Sequence, residues 1–214
     1  MNIRSLAIAC FVVPGLLFAG ANIAEAKEDL EPGDPFAAVD GDPIYIGEIN
    51  LVLTQRIAAT DLTRVGEDVR RATALVLVRR HLAMKAMSKL GGETLRDSID
   101  RRLQAYAGEA KRRGTSVAEL AAARQATEDA MLADIAWTTA WTQYLKSKMT
   151  PENLRRYFES HSDRYSAATF DGLTDQADLR RDAANALFES LVASQSETKV
   201  KWFIESLYQQ ERQR

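Results

Sequence analysis

Cysteine is almost missing from this chain of 214 residues: the one present is Cys10, inside the N-terminal apolar run. Downstream of that run there is no thiol nucleophile, no thiolate metal ligand and no disulfide, whatever the redox compartment. Histidine is nearly as scarce, with only His81 and His161. No second His or Cys stands at ligand spacing from either, so a zinc site has no sequence support. Charge of one sign is lacking too, because 28 basic residues meet 30 acidic ones for a net charge of −2. A chain this close to neutral has no electrostatic footprint for nucleic acid. There is no glycine-rich phosphate loop, no Gly-x-Ser-x-Gly elbow, no internal repeat and no low-complexity tract. Nucleotide-driven and serine-hydrolase chemistry have no residues to stand on.

The one long hydrophobic run is at the start. Arg4 gives a short basic region, Leu6–Ala24 is uncharged and mostly apolar, and Ala24-Glu25-Ala26 supplies a small-x-small cleavage pattern. These features predict a signal peptide over residues 1–26 and export of the remainder, with membrane contact only in transit. An uncleaved anchor is the alternative, disfavoured by Pro14-Gly15 in the middle of the run. Cleavage would remove one Arg and one Glu and leave the charge balance unchanged.

Residues 27–35 are charged and broken by Pro32, Gly33 and Pro35, which predicts a loose leader. Two short apolar runs then flank Asp40-Gly41, the dipeptide preferred where both central residues of a tight hairpin turn need positive φ. Pro43 restricts its strand to a sheet edge or a strand start. So small a hairpin needs something to pack against. Ile49, Val52, Leu53 and Ile57 begin helical spacing. Val69, Ala72, Val76, Ala83, Met87 and Leu90 predict a long helix from Gly66 with Gly91-Gly92 as its stop. Leu95, Ile99, Leu103, Tyr106 and Ala110 form a further stripe. Ser116 with Glu119 reads as a capping box, Thr127 caps a helix to Met149, and Thr150-Pro151-Glu152 opens another with Leu154, Tyr157 and Phe158 on one face. Residues 166–178 carry no periodicity. Ala183, Ala186, Leu187 and Leu191 predict a last helix, residues 198–203 alternate like a strand, and residues 204–214 read as a charged tail. The fold class is mainly α, an antiparallel helical packing with one small hairpin.

The order of these segments resembles a known family. Ala37–Glu48, Leu77–Gly91, Gly114–Leu120 with Trp137–Tyr165, and Leu179–Phe203 are similar in sequence to the N-terminal chaperone module of SurA-like, parvulin-type peptidyl-prolyl isomerases and its C-terminal helix and strand. The resemblance implies a helical module over residues 36–165. It also implies that the helix and strand of residues 179–203 return to it, with Val200–Phe203 completing a sheet with Ala37–Val39 and Ile44–Tyr45. In that family a catalytic domain of about a hundred residues follows the module. Here only the short linker of residues 166–178 stands in its place, so no catalytic residue carries over and isomerase activity is not expected. Residual isomerase activity is the reading the family name alone would suggest.

Trp137, Trp141 and Tyr144 lie at i, i+4, i+7 on one helix, and Met84, Met87, Met131 and Met149 lie on it or on a helix expected beside it. Flexible thioethers beside amphipathic rings suit a surface that accepts many apolar peptides; they equally suit the core of a small helical domain. Met84, Met87, Met131, Trp137, Trp141 and Tyr144 are therefore the candidate client-binding set, in a groove between the hairpin-bearing helices and the Trp137–Met149 helix. His161 reads as a helix C-cap, His81 as a boundary residue, and Arg79-Arg80 and Lys111-Arg112-Arg113 as solvated faces. The function expected is a cofactor-free, metal-free exported holdase for unfolded or extended polypeptides. A dedicated interaction subunit for one folded partner, or for itself, is the second reading.

Overall fold

The computed structural model describes residues 30–56, 61–167, 169–173 and 176–207. The signal peptide expected over residues 1–26, the first part of the leader, Ile57 and residues 208–214 of the tail lie outside the described residues.

The chain runs β1 (Pro35–Val39), β2 (Asp42–Tyr45), α1 (Ile46–Arg56), α2 (Glu67–Arg112), α3 (Val117–Ala122), α4 (Glu128–Lys148), α5 (Pro151–Ser160), α6 (Ala177–Ala193) and β3 (Val200–Trp202). Helices dominate, and the strands form one antiparallel sheet in the order β2-β1-β3. Asp40 and Gly41 both take positive φ, 53° and 95°, as a tight turn between twisted strands requires. β3 pairs with the hairpin through Ala37 opposite Trp202 and Val39 opposite Val200. Pro43 sits in β2, at the sheet edge, where its missing N–H costs no ladder bond.

Local chemistry places the helix ends. Ser116 Oγ accepts from the Glu119 N–H while Glu119 Oε2 accepts from the Ser116 N–H, both within 3.1 Å. With the Thr115 hydroxyl as the largest contributor, these bonds hold the Glu119 carboxyl below its usual range. Thr127 and Thr150 cap α4 and α5 by accepting from Ala130 and Asn153.

The two predicted helices on either side of Gly91-Gly92 join into α2, which breaks at Gly92 (φ 54°, ψ −138°). A Cβ on Gly91 would lie 2.6 Å from Leu95 Cβ, so the absence of a side chain lets the two halves meet closely. The buried stripe before the break is Ala74, Leu77, Val78, Ala83, Ala86 and Met87. Of the expected stripe, Ala83 and Met87 are buried, whereas Val69 and Leu90 are exposed, at 45% and 69%. Apolar residues occupy more than one face in the first turns, so spacing alone picked a row beside the buried one there. In α6 the buried row is Leu179, Ala183, Ala184, Phe188 and Leu191, whereas Ala186 is exposed.

Four buried clusters run through the molecule. Phe36, Ile44, Ile49, Leu53 and Leu77 lie under the sheet, and Leu207, four residues past Phe203, joins them instead of trailing into solvent. Leu51, Val117, Ala121 and Met131 pack where α1, α3 and α4 meet. Met87, Leu95, Ala140, Phe188 and Leu191 hold α6 on α2 and α4. Leu154, Phe158, Phe170 and Leu179 form the fourth, so the segment expected as featureless contributes a buried ring from a short 3-10 turn at Phe170–Gly172.

Candidate functional site

A cleft of about 250 Å3 lies between α1, α2 and α4. Leu51 and Val52 of α1, Leu77 of α2 and Ala130 and Ala133 of α4 give it an apolar floor, with Met84 and Trp137 on its walls. Helical spacing accounts for the placement. Leu77, Arg80, His81 and Met84 step along one side of α2, and Ala130, Ala133, Asp134 and Trp137 along the facing side of α4. Alanine at two of those α4 positions keeps the floor low enough for space to remain.

Four charged or polar side chains line this apolar space. Glu48 is 7% exposed, and its two carboxylate oxygens are divided between partners. Oε1 accepts from the Tyr45 N–H at 3.3 Å, and Oε2 lies 2.8 Å from His81 Nε2. Glu48 thus ties β2, α1 and α2 together. Arg80 is equally buried at 7%, with its guanidinium 3.7 Å from Asp134 and 5.5 Å above the Trp137 ring. Among the described residues no buried side-chain nitrogen or oxygen lacks a hydrogen-bond partner, as a well-satisfied interior requires.

The aromatic set continues from the cleft along α4. Trp137 and Trp141 stack with centroids 5.7 Å apart and planes 9° from parallel, and Tyr144 stacks on Trp141 at 5.9 Å. Phe188 of α6 meets both tryptophans edge-on. All three α4 rings are half-buried, and burial pushes the Tyr144 hydroxyl up from its ordinary value.

The six candidate residues therefore divide. Trp137 and Met84 line the cleft, and Trp141 and Tyr144 stack beyond Trp137 along α4, against the cluster that holds α6. Met87 and Met131, at 1% and 2% exposure, are core side chains, so a client cannot reach them in this conformation. Met131 instead receives a contact from the Tyr106 hydroxyl at 3.8 Å.

Arg80 corrects the expectation of a solvated Arg79-Arg80 face. Arg79 is half-exposed, pairing with Glu189 and lying over Phe188, but Arg80 points into the protein. His81 and Glu48 were the least visible from sequence, because their partners lie far along the chain. The buried charge at Glu48 inside an apolar helix was the available signal. His161 caps α5, with Nδ1 2.9 Å from the Tyr157 carbonyl and its ring 4.3 Å from the Tyr157 ring. Among the described residues no cluster of three potential metal ligands occurs, and no helix is long and apolar enough to cross a membrane. No protein-family profile, curated protein or solved structure matches the chain.

Proposed function

We propose that this chain is a non-enzymatic holdase, a SurA-like helical module acting after export on unfolded or extended polypeptides. The observation that supports it best is the cleft between α1, α2 and α4, walled by Met84 and Trp137 and continued by the half-buried Trp141 and Tyr144. Its volume is below the range of about 300–1,000 Å3 usual for drug-sized ligands, which fits one side chain at a time. Thioether and ring walls adapt to side chains of different shape. Reversible burial of apolar groups needs no nucleotide and no cofactor. A fixed folded partner would call for a broad apolar patch. The exposed large apolar residues among those described are Val69, Leu90, Val200 and Phe203, and only the last two lie close together in sequence.

The test is aggregation of an unrelated unfolded protein with and without residues 27–214. Suppression at near-stoichiometric ratio, weakened by Trp137→Ala, is the expected result. Saturable acceleration of prolyl isomerisation, which takes tens of seconds uncatalysed, would overturn the non-enzymatic reading.

A further inference from the structure

Glu48 fixes the chemistry of one cleft group. As a carboxylate it only accepts hydrogen bonds, so the His81 nitrogen 2.8 Å from its Oε2 carries the ring proton. In the neutral ring the other nitrogen, Nδ1, then holds a lone pair. No hydrogen bond to Nδ1 exists among the described residues. Every buried side-chain nitrogen there has a partner, so Nδ1 is reached by solvent. His81 is itself a lining residue of the apolar cleft. Glu48, Arg80 and Asp134 are the charged residues that line the cleft with it.

We propose that the cleft selects polypeptide side chains that combine an apolar body with one N–H or O–H donor, and that His81 Nδ1 receives that donor. The proposal rests on the holding function above and names its preferred occupant. The volume is consistent with this: a dry apolar cavity of about 150 Å3 holds benzene, and 250 Å3 leaves room for a ring and its polar substituent. A wholly apolar cleft would favour the opposite choice, because moving a hydroxyl out of water without an acceptor costs free energy. Glu48 acts as a positioning residue, setting which nitrogen is bare.

The experiment compares p-cresol with toluene, followed by intrinsic tryptophan fluorescence and by chemical shifts of cleft residues in residues 27–214. A seven-residue Gly/Ser peptide with a central Tyr is compared with its Phe counterpart. p-Cresol should bind about tenfold tighter than toluene, the effect of one net hydrogen bond, and the Tyr peptide should bind better than the Phe peptide. His81→Leu should abolish the preference while toluene still binds. Glu48→Gln, whose amide can donate to Nε2, should shrink it. Equal binding of p-cresol and toluene would overturn the proposal and leave the holding function standing. p-Cresol binding without the Tyr peptide would make the occupant a free small molecule and overturn it as stated. Aggregation suppressed with neither probe bound would overturn it by placing clients elsewhere. Failure of both aggregation suppression and probe binding would remove the holding function itself.

Discussion

The Arg80 guanidinium lies 5.5 Å above the indole of Trp137, carrying a charge from α2 onto the aromatic face of α4 at the edge of the cleft. Asp134, 3.7 Å from the same guanidinium and one turn before Trp137, balances that charge. A buried cation is tolerable only when it is paired, and here ring and carboxylate share the task. One side chain therefore couples the packing of the two longest helices to the wall of the candidate site.

Arg80→Ala should lower stability by about 1–3 kcal/mol, combining lost stem packing with an Asp134 left without its cation. The value sits below that for a fully buried pair because the Asp134 side chain is 24% exposed. Urea denaturation of the variant checks it, and an unchanged midpoint would contradict the coupling.

Core and half-buried side chains should separate by mutation. Met87→Ala should cost about 2–5 kcal/mol, as loss of a buried side chain does, and should affect client holding only through stability. Tyr144→Ala should cost far less and weaken holding directly. Thermal melts set beside aggregation assays distinguish the two. Equal destabilisation by both changes would place Tyr144 in the core.

Gly91→Ala should destabilise by about 1–3 kcal/mol, the range for overpacking, because its Cβ would meet Leu95 Cβ at 2.6 Å. Pairing it with Leu95→Gly, which removes the Cβ itself, should recover part of the loss by opening that contact, at the expense of the Leu95 burial. Melting temperatures of the two single variants and the double variant, analysed as a cycle, give the coupling; strict additivity would mean the helix break absorbs the methyl freely.

Tyr165 predicts the alkaline limb of stability. Burial, with the hydrogen bond to Asp182 at 3.1 Å and that group's charge, pushes its hydroxyl well above the ordinary tyrosine value. The folded state thus holds the proton more tightly than the unfolded chain. The contribution is fully present below the unfolded value of about 10 and is lost as pH rises above it. Tyr165→Phe should flatten the fall in melting temperature between pH 9 and 11 (a range of about two units around that value). An identical fall in the variant would assign the alkaline limb to other groups.

Much of the fold is legible in sequence because its signals are local. Ser116, Thr127 and Thr150 cap the helices they were expected to cap, and Asp40-Gly41 turns the hairpin. These depend on residues within four positions of one another. Facing was harder to read. Residues 74–78 are apolar at every position, so the choice between Val76 and Leu77 as the inward residue belongs to α1 and the sheet. The polar groups of the cleft were illegible for the same reason carried further: Glu48 meets His81, and Arg80 meets Asp134, only after three helices have packed.

Truncation after Gln195 should remove β3 and Leu207 together and uncover Phe36, whose ring lies 6.0 Å from that of Trp202. A loss of several kcal/mol is expected from the apolar surface returned to water. A truncated chain melting with the whole one would show the third strand to be dispensable.

The register of Val39 with Val200 also sets an order of events in time. Synthesis runs from the N-terminus, so the hairpin and all six helices emerge before the strand that completes the sheet exists. Until then β1 has its second edge open, and closing it joins segments far apart along the chain, the kind of contact that slows folding. The hairpin is thus a late assembly point. A nascent copy carries an unfinished sheet of its own, with the open strand edge that invites pairing with other chains until β3 arrives.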